Sequence, residues 1–416
     1  MERKTVKVLE AYRQLLDNNS AHNCYYYHRQ EALQSRSLGF IKDYLRDGGK
    51  LNLISKEEEI FATETFKMRC EHMRSLFLLG VYCYDNIANI RNAIDNLIGK
   101  AFRKTCTDNK RIAIHEGIDI STIPAPYNQE EMTTELLRKD FLYLWYLICL
   151  YHDIGYVYEC NALTSENIYP NDIFELHDSV YGIPSSYFKS IDRYYRLRRF
   201  TPLLGSHPCV DHGIYGGMRF YKTLQTMHSS QMVQVVEHED NEGLLWGKPI
   251  FDNYIVPAAY CIMCHNMFIA FGDTNNAQKY HSIGLQNLII SREASDIIPS
   301  VHPLLFLLCL LDTIEPVKIF AGDKPINSKQ VDQILEQCEL QTDNCALHIS
   351  WNPQKITIGT CRKQCQYKHD TGKCATYSCM RTTANNLDFL LSEECQVSVD
   401  AKWLKITINA WPTVAR

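Results

Sequence analysis

An unbroken apolar run, Phe141-Leu-Tyr-Leu-Trp-Tyr-Leu-Ile-Cys-Leu-Tyr151, leads straight into His152-Asp153-Ile154-Gly155-Tyr156. A helix that is apolar on every side is buried on every side. This run is too short to cross a bilayer, which takes about 20 apolar residues. It therefore predicts a helix driven through a protein core, with Gly155 as its stop. An imidazole and a carboxylate buried there without partners cost on the order of several kcal/mol. A metal ion is the most economical partner for an adjacent His and Asp.

The surroundings supply a core large enough to hold such a helix. The chain has 416 residues, 45% of them hydrophobic, which suits one large domain with a smaller one. A net charge of -5 provides no global basic field for nucleic acid. Of 17 cysteines, Cys83, Cys149, Cys261, Cys264 and Cys309 sit inside apolar runs, where they act as small buried hydrophobes. The opening Met-Glu-Arg-Lys-Thr-Val lacks the apolar core of a signal peptide, and no run reaches transmembrane length. Reduced thiols, a cytoplasmic location and no membrane association are expected.

In chain order, Val6, Leu9, Tyr12, Leu15 and Leu16 form a helical stripe, so 1–60 reads as a helical N-terminal extension. Phe61 to Tyr84 is again helical, with Arg69 and His72 on neighbouring turns. Residues 85–140 are less periodic, and Ile120 to Asn128, with Pro124 and Pro126, reads as a loop. Arg193 to Arg199 is basic with interleaved tyrosines, either a solvated helix face or a phosphate-contacting edge. Asp211 suits a helix cap ahead of His212, and Gly213, Gly216 and Gly217 let another backbone approach. Each glycine costs a helix about 1 kcal/mol, so close packing or a ligand must compensate. Glu237 to Asp240 reads as a solvated acidic loop. Ile255 to Cys264 is a second apolar run, ending at His265, and Leu304 to Leu311 a third, ending at Asp312. Three buried helices that each deliver an ionisable side chain at the end are explained by convergence on a shared cation.

Beyond Gly322 the character changes. Ala346–Trp351 with Lys355–Thr360, and Gln396–Asp400 with Trp403–Asn409, read as hairpins, and Ala384–Leu391 as a helix. Cys361, Cys365, His369, Cys374 and Cys379 lie near zinc-knuckle spacing without matching a standard pattern, so zinc ligands and plain thiols both remain open.

The ordered set His72, His152-Asp153, His212, His265 and Asp312 resembles the HD superfamily of metal-dependent phosphohydrolases, whose signature is H…HD…D on a helical bundle, with extra histidines in two-metal members. The likeness covers roughly Phe61 to Phe320. It implies a mainly α fold, an HD-type helical bundle over 61–321; residues 322–416 read from their own pattern as a small C-terminal α+β domain with a Cys-rich insert. Tyr156 stands where many cyclic-di-nucleotide phosphodiesterases and HD nucleases have Lys. Asn266 follows His265 where the cyclic-di-nucleotide subgroup has a second His, and Tyr156 and Tyr158 occupy the region where the deoxynucleotide triphosphohydrolases have a further histidine. No subgroup is assigned.

The resemblance implies metal ligation by His72, His152, Asp153, His212, His265 and Asp312, with Asp153 also the catalytic position that holds or bridges the metal. Imidazole and carboxylate ligands suit Mn, Fe, Co, Ni or Zn. Two ions per chain are expected, because His265 ends an apolar run and His212 sits where it can reach another helix. A water acidified by the metal would attack phosphorus in a nucleotide-like small molecule. Arg69, Arg196 and Lys318 are candidate phosphate-binding residues. The alternatives are a non-catalytic regulatory module with a structural metal, and a single-strand nuclease using Arg193 to Arg199, which the acidic net charge opposes.

Overall fold

In a computed structural model of the chain, the residues described are 5–17, 67–123, 132–156, 191, 193–197, 211–236, 247–265, 282, 302–321, 328–351, 395–400 and 403–408. They form β1 (Val6–Lys7), α1 (Val8–Asp17), α2 (Lys67–Asn86), α3 (Ala88–Glu116), α4 (Thr134–Tyr151), α5 (His212–Val236) and α6 (Gly247–Ile250). A π-helical turn, Phe251–Ile255, leads into α7 (Val256–Cys264). Then come α8 (Pro303–Ile314), α9 (Pro316–Ala321), α10 (Ser328–Glu336), β2 (Cys338–Thr342), β3 (Ala346–Trp351), β4 (Cys395–Asp400) and β5 (Trp403–Ile408). The fold is mainly helical with one small antiparallel sheet, and no helix among the described residues is long and apolar enough to cross a membrane.

Two compact units share the chain. The first takes Met1–Cys24, Glu59–Ala93 and Phe268–Arg416; the second takes Tyr25–Glu58 and Ile94–Met267.

In the first unit the sheet order is β1-β2-β3-β5-β4, with every pair antiparallel. Leu340, Ile349 and Leu404 are side by side across three strands, and Leu347 and Ile406 form the next rung, all fully buried. Asp343 makes the β2–β3 turn by accepting the Cys345 N–H on its own carboxylate at 2.9 Å. Two sequence expectations change here. Val6 belongs to a strand paired with Leu340, not to a helical stripe. The edges of β3 are taken by β2 and β5, whereas the expected partner Lys355–Thr360 lies outside the described residues, as do Ala384–Leu391 and Cys361 to Cys379. The hairpin of Gln396–Asp400 with Trp403–Asn409 is present as β4 and β5, with Asp400 opposite Trp403. Helix α2 packs against α1, α8 and α9.

In the second unit α4, α5 and α7 pack on one another. Thr133 caps α4, its hydroxyl accepting the Leu136 N–H at 3.2 Å. Every residue from Asp140 to Tyr151 is buried, as the apolar run requires. The stretch read as less periodic contains α3. Its stripe is Ile94, Leu97, Ile98, Ala101, Phe102, Thr105, Asn109 and Ala113, all buried, so the helical period is kept while hydrophobicity is diluted. Gly117, at φ 68°, ends α3: its N–H and that of Ile118 turn back to the carbonyls of Ile114 and Ala113. The π-helical turn precedes Pro257, which has no N–H to give to Asn253 and so disturbs the helical ladder there. Asn253 instead turns its side chain inward to Thr105 and Asp108, at 3.2 Å each.

Candidate metal centre

Helix α4 stops at Tyr151, and His152 is its C-cap. The ring Nδ1 of His152 lies 2.8 Å from the Cys149 carbonyl. At the end of α7, His265 repeats the arrangement, with Nδ1 2.7 Å from the Ile262 carbonyl. A carbonyl only accepts, so Nδ1 carries a proton in both rings, which leaves Nε2 as the nitrogen that can ligate. Nε2 is then the atom each histidine offers to an ion.

His212 opens α5. Asp211 caps that helix, its Oδ1 accepting the Ile214 N–H at 3.0 Å, while Tyr194 donates its hydroxyl to Oδ2 at 3.3 Å. The Asp211 cap is the one expected from the sequence. Close approach then carries His212 to the loop that follows α4. A Cβ added at Gly155 would fall 2.0 Å from the His212 carbonyl oxygen. Gly155 is thus needed for proximity; its φ is not in the left-handed region that a helix-stop glycine uses. Along α5, a Cβ at Gly213 would sit 3.1 Å from the His265 ring and one at Gly217 2.7 Å from the Ala259 carbonyl. The glycines therefore bring α5 onto α7.

The outcome is a buried cluster within the second unit. Asp153, His212 and His265 bring ligand atoms to within 4.8 Å of one another, and all three are buried. Asp153 Oδ1 lies 3.5 Å from His152 Nε2 and 3.8 Å from His212 Nε2. The His152 and His212 rings stand 5.3 and 5.4 Å from the His265 ring, both at steep angles. Donors bound about 2.0–2.2 Å from one ion lie roughly 3.0–3.6 Å apart. The His152 spacing falls in that range and the His212 spacing just beyond it. Buried imidazole and carboxylate donors, with the His152 and His265 rings held by carbonyls, fit a divalent transition metal. Tyr156 stacks on the His212 ring at 3.7 Å and 19°.

His72 and Asp312 lie in the first unit. His72 is fully buried on α2, and Asp312 is in the last turn of α8. His72 Nε2 is 3.0 Å from Asp312 Oδ1, and Nδ1 is 2.8 Å from Glu315 Oε2. Burial pulls the His72 pKa down, but the hydrogen bonds to Asp312 and Glu315 outweigh it and hold it above the ordinary value. The Lys318 ammonium donates to Asp312 Oδ1. Arg196 is exposed among helical residues, and Arg69 lies in α2.

Sequence reasoning gave no site role to Glu315, Ser75 or Tyr12, which follow one another in a hydrogen-bonded chain from His72. The signal for Glu315 is its place before Pro316, three residues after Asp312 at a helix end. Glu237 to Asp240 lies outside the described residues. No family model matches the sequence, and no curated protein or solved structure matches it.

Proposed function

We propose that this chain is a metal-dependent phosphohydrolase of the HD type, hydrolysing a phosphate ester of a nucleotide-like small molecule. The observation that carries the reading is the buried Asp153–His212–His265 cluster, with His152 beside it. A divalent transition metal held there would supply an acidified water and charge neutralisation at phosphorus. The chain's own part is orientation and dryness. Asp153 presents Oδ1 between two imidazoles. Cys149 and Ile262 carbonyls hold the tautomers of His152 and His265. Tyr156 fixes the plane of His212. Burial keeps bulk water from competing. We further propose two ions per chain, one of them held by this cluster. Arg69, Arg196 and Lys318 remain the proposed phosphate contacts.

Purified full-length protein, prepared without chelator, is to be analysed for metals and assayed on a panel of nucleotides and phosphodiesters with Mn, Fe, Co, Ni or Zn. Two ions per chain with metal-dependent turnover are expected. A folded protein with no bound metal and no turnover on the whole panel would overturn the reading. A structural metal in a non-catalytic module is the second reading, favoured by the complete burial of His152 and Asp153. Asp153→Ala separates the two. Lost turnover with folding retained supports the enzyme, and lost stability in a protein that never turned over substrate supports the structural clip.

A further inference from the structure

Outside the cluster, the Glu315 carboxylate meets four hydrogen-bonding groups. It is fully buried between α8 and α9. Pro316 follows it as the first residue of α9, so Glu315 has extended backbone, and its side chain caps the new helix. Oε1 accepts the Val317 N–H and Oε2 the Lys318 N–H, each at 2.7 Å. Two further groups reach it from α2: the Ser75 hydroxyl donates to Oε1, and His72 Nδ1 lies 2.8 Å from Oε2. Behind Ser75 stands α1, with the Tyr12 hydroxyl 3.0 Å from the Ser75 carbonyl and 3.1 Å from its Oγ.

A carboxylate accepting two backbone N–H groups cannot rotate away without uncapping α9, so its remaining lone pairs point in fixed directions. We propose that Glu315 is a positioning residue for His72: it takes the Nδ1 proton, fixes the ring's plane, and leaves Nε2, which faces Asp312 Oδ1 at 3.0 Å, as the atom His72 offers to a metal in place of that contact. This rests on the HD reading of His72 as a ligand. It also distinguishes His72 from His152 and His265. Those two rings are held by carbonyls of their own helices. His72 is held by a side chain from another part of the chain, and the support continues through Ser75 to Tyr12. The first helix is therefore part of what orients His72. A carboxylate on the far nitrogen also makes an imidazole a stronger donor than a carbonyl does.

Zinc alone serves as the probe on the full chain. Nitrogen-15 spectra of the zinc-loaded wild type, with His72→Ala used for assignment, must show the His72 proton on Nδ1. A proton on Nε2 overturns the proposal without any variant. Zinc affinity is then measured by competition with a chromophoric chelator, alongside circular dichroism. Losing such a supporting group typically weakens metal binding about 10–100-fold. Glu315→Gln should show that loss in folded protein, because an amide cannot accept from all four donors. Ser75→Ala leaves the α9 cap in place, so it carries the test if Glu315→Gln does not fold. It should fall between wild type and His72→Ala, with Tyr12→Phe smaller in the same direction. If His72→Ala leaves zinc binding unchanged, the HD reading of His72 fails. If His72→Ala weakens it while Glu315→Gln and Ser75→Ala match wild type, the positioning role alone fails.

Discussion

Gly155→Ala is the most direct test of how the buried cluster is assembled. The added methyl carbon would lie 2.0 Å from the His212 carbonyl oxygen, 2.5 Å from its Cα and 2.6 Å from its carbonyl carbon. Ordinary contact at such a carbon begins near 3.4 Å, so about 1.4 Å must be opened. The opposing atoms are all backbone, and no rotamer change can relieve the clash. Overpacking costs about 1–3 kcal/mol, and more where backbone must move. At the upper end, 2–4 °C per kcal/mol lowers Tm by roughly 6–12 °C. The effect on metal is sharper, because coordination tolerates only about 0.2 Å, and the displaced backbone is that of His212 itself. Gly117→Ala is the control. Its left-handed φ of 68° makes alanine cost about 1–3 kcal/mol, yet nothing lies within 4 Å of the new carbon. Elemental analysis and thermal melts on both variants should show similar destabilisation, with metal lost only from Gly155→Ala. A Gly155→Ala protein with wild-type Tm and wild-type metal content would refute the reasoning.

Two further predictions concern groups away from the cluster. Asn109 is fully buried in α3, and neither side-chain polar atom has a hydrogen-bond partner among the described residues. Asn109→Leu should stabilise by about 1 kcal/mol or more in a denaturant titration, since a stranded amide costs about 1–3 kcal/mol; a fall in stability would reveal a buried water. Burial raises the thiol pKa of Cys83 and Cys338 and pushes Cys106 up to about 11. At about pH 8 a maleimide should label the half-buried Cys345 well before these three; peptide mass spectrometry showing equal rates in folded protein would contradict the burial.

What the sequence disclosed depends on whether its determinants are local. Helix α4 is legible because every position from Phe141 to Tyr151 is apolar, and the burial of Cys83, Cys149, Cys261, Cys264 and Cys309 follows from the same kind of local run. Helix α3 escapes notice because Ala101, Thr105, Asn109 and Ala113 occupy its buried stripe, which keeps the 3.6-residue period but not the hydrophobic contrast. Strand β1 is only Val6–Lys7, and what makes it a strand is Leu340 and Glu339, more than 300 residues away. Glu315 was missed for the same reason: its capping role is local, but its hold on His72 spans 243 residues. The close approach around His212 was half legible. Gly213, Gly216 and Gly217 advertised a tight contact, while Gly155 looked like a helix stop until its neighbour was known.

Histidine at the end of a buried helix has a physical reason that also yields a test. The last carbonyls of any helix lack N–H partners, and in a dry core they need a donor. Cys149 and Ile262 each stand three residues before the terminal histidine, and each accepts a ring Nδ1–H, at 2.8 and 2.7 Å. Histidine can close the helix with one nitrogen and present the other to an ion; lysine or serine can do only part of this. His265→Asn separates the two roles. The asparagine amide nitrogen occupies nearly the place of Nδ1, so the bond to the Ile262 carbonyl survives, while nothing replaces Nε2. In chelator, where no metal contributes, His265→Asn should keep stability within about 1 kcal/mol of wild type. His265→Ala should lose more, since it also strands a buried carbonyl and leaves a cavity. Without chelator both variants should lose metal from the cluster. An asparagine variant that binds metal as wild type does would remove His265 from the ligand set. An alanine variant as stable as the asparagine one would show that the Ile262 bond contributes nothing to closing α7.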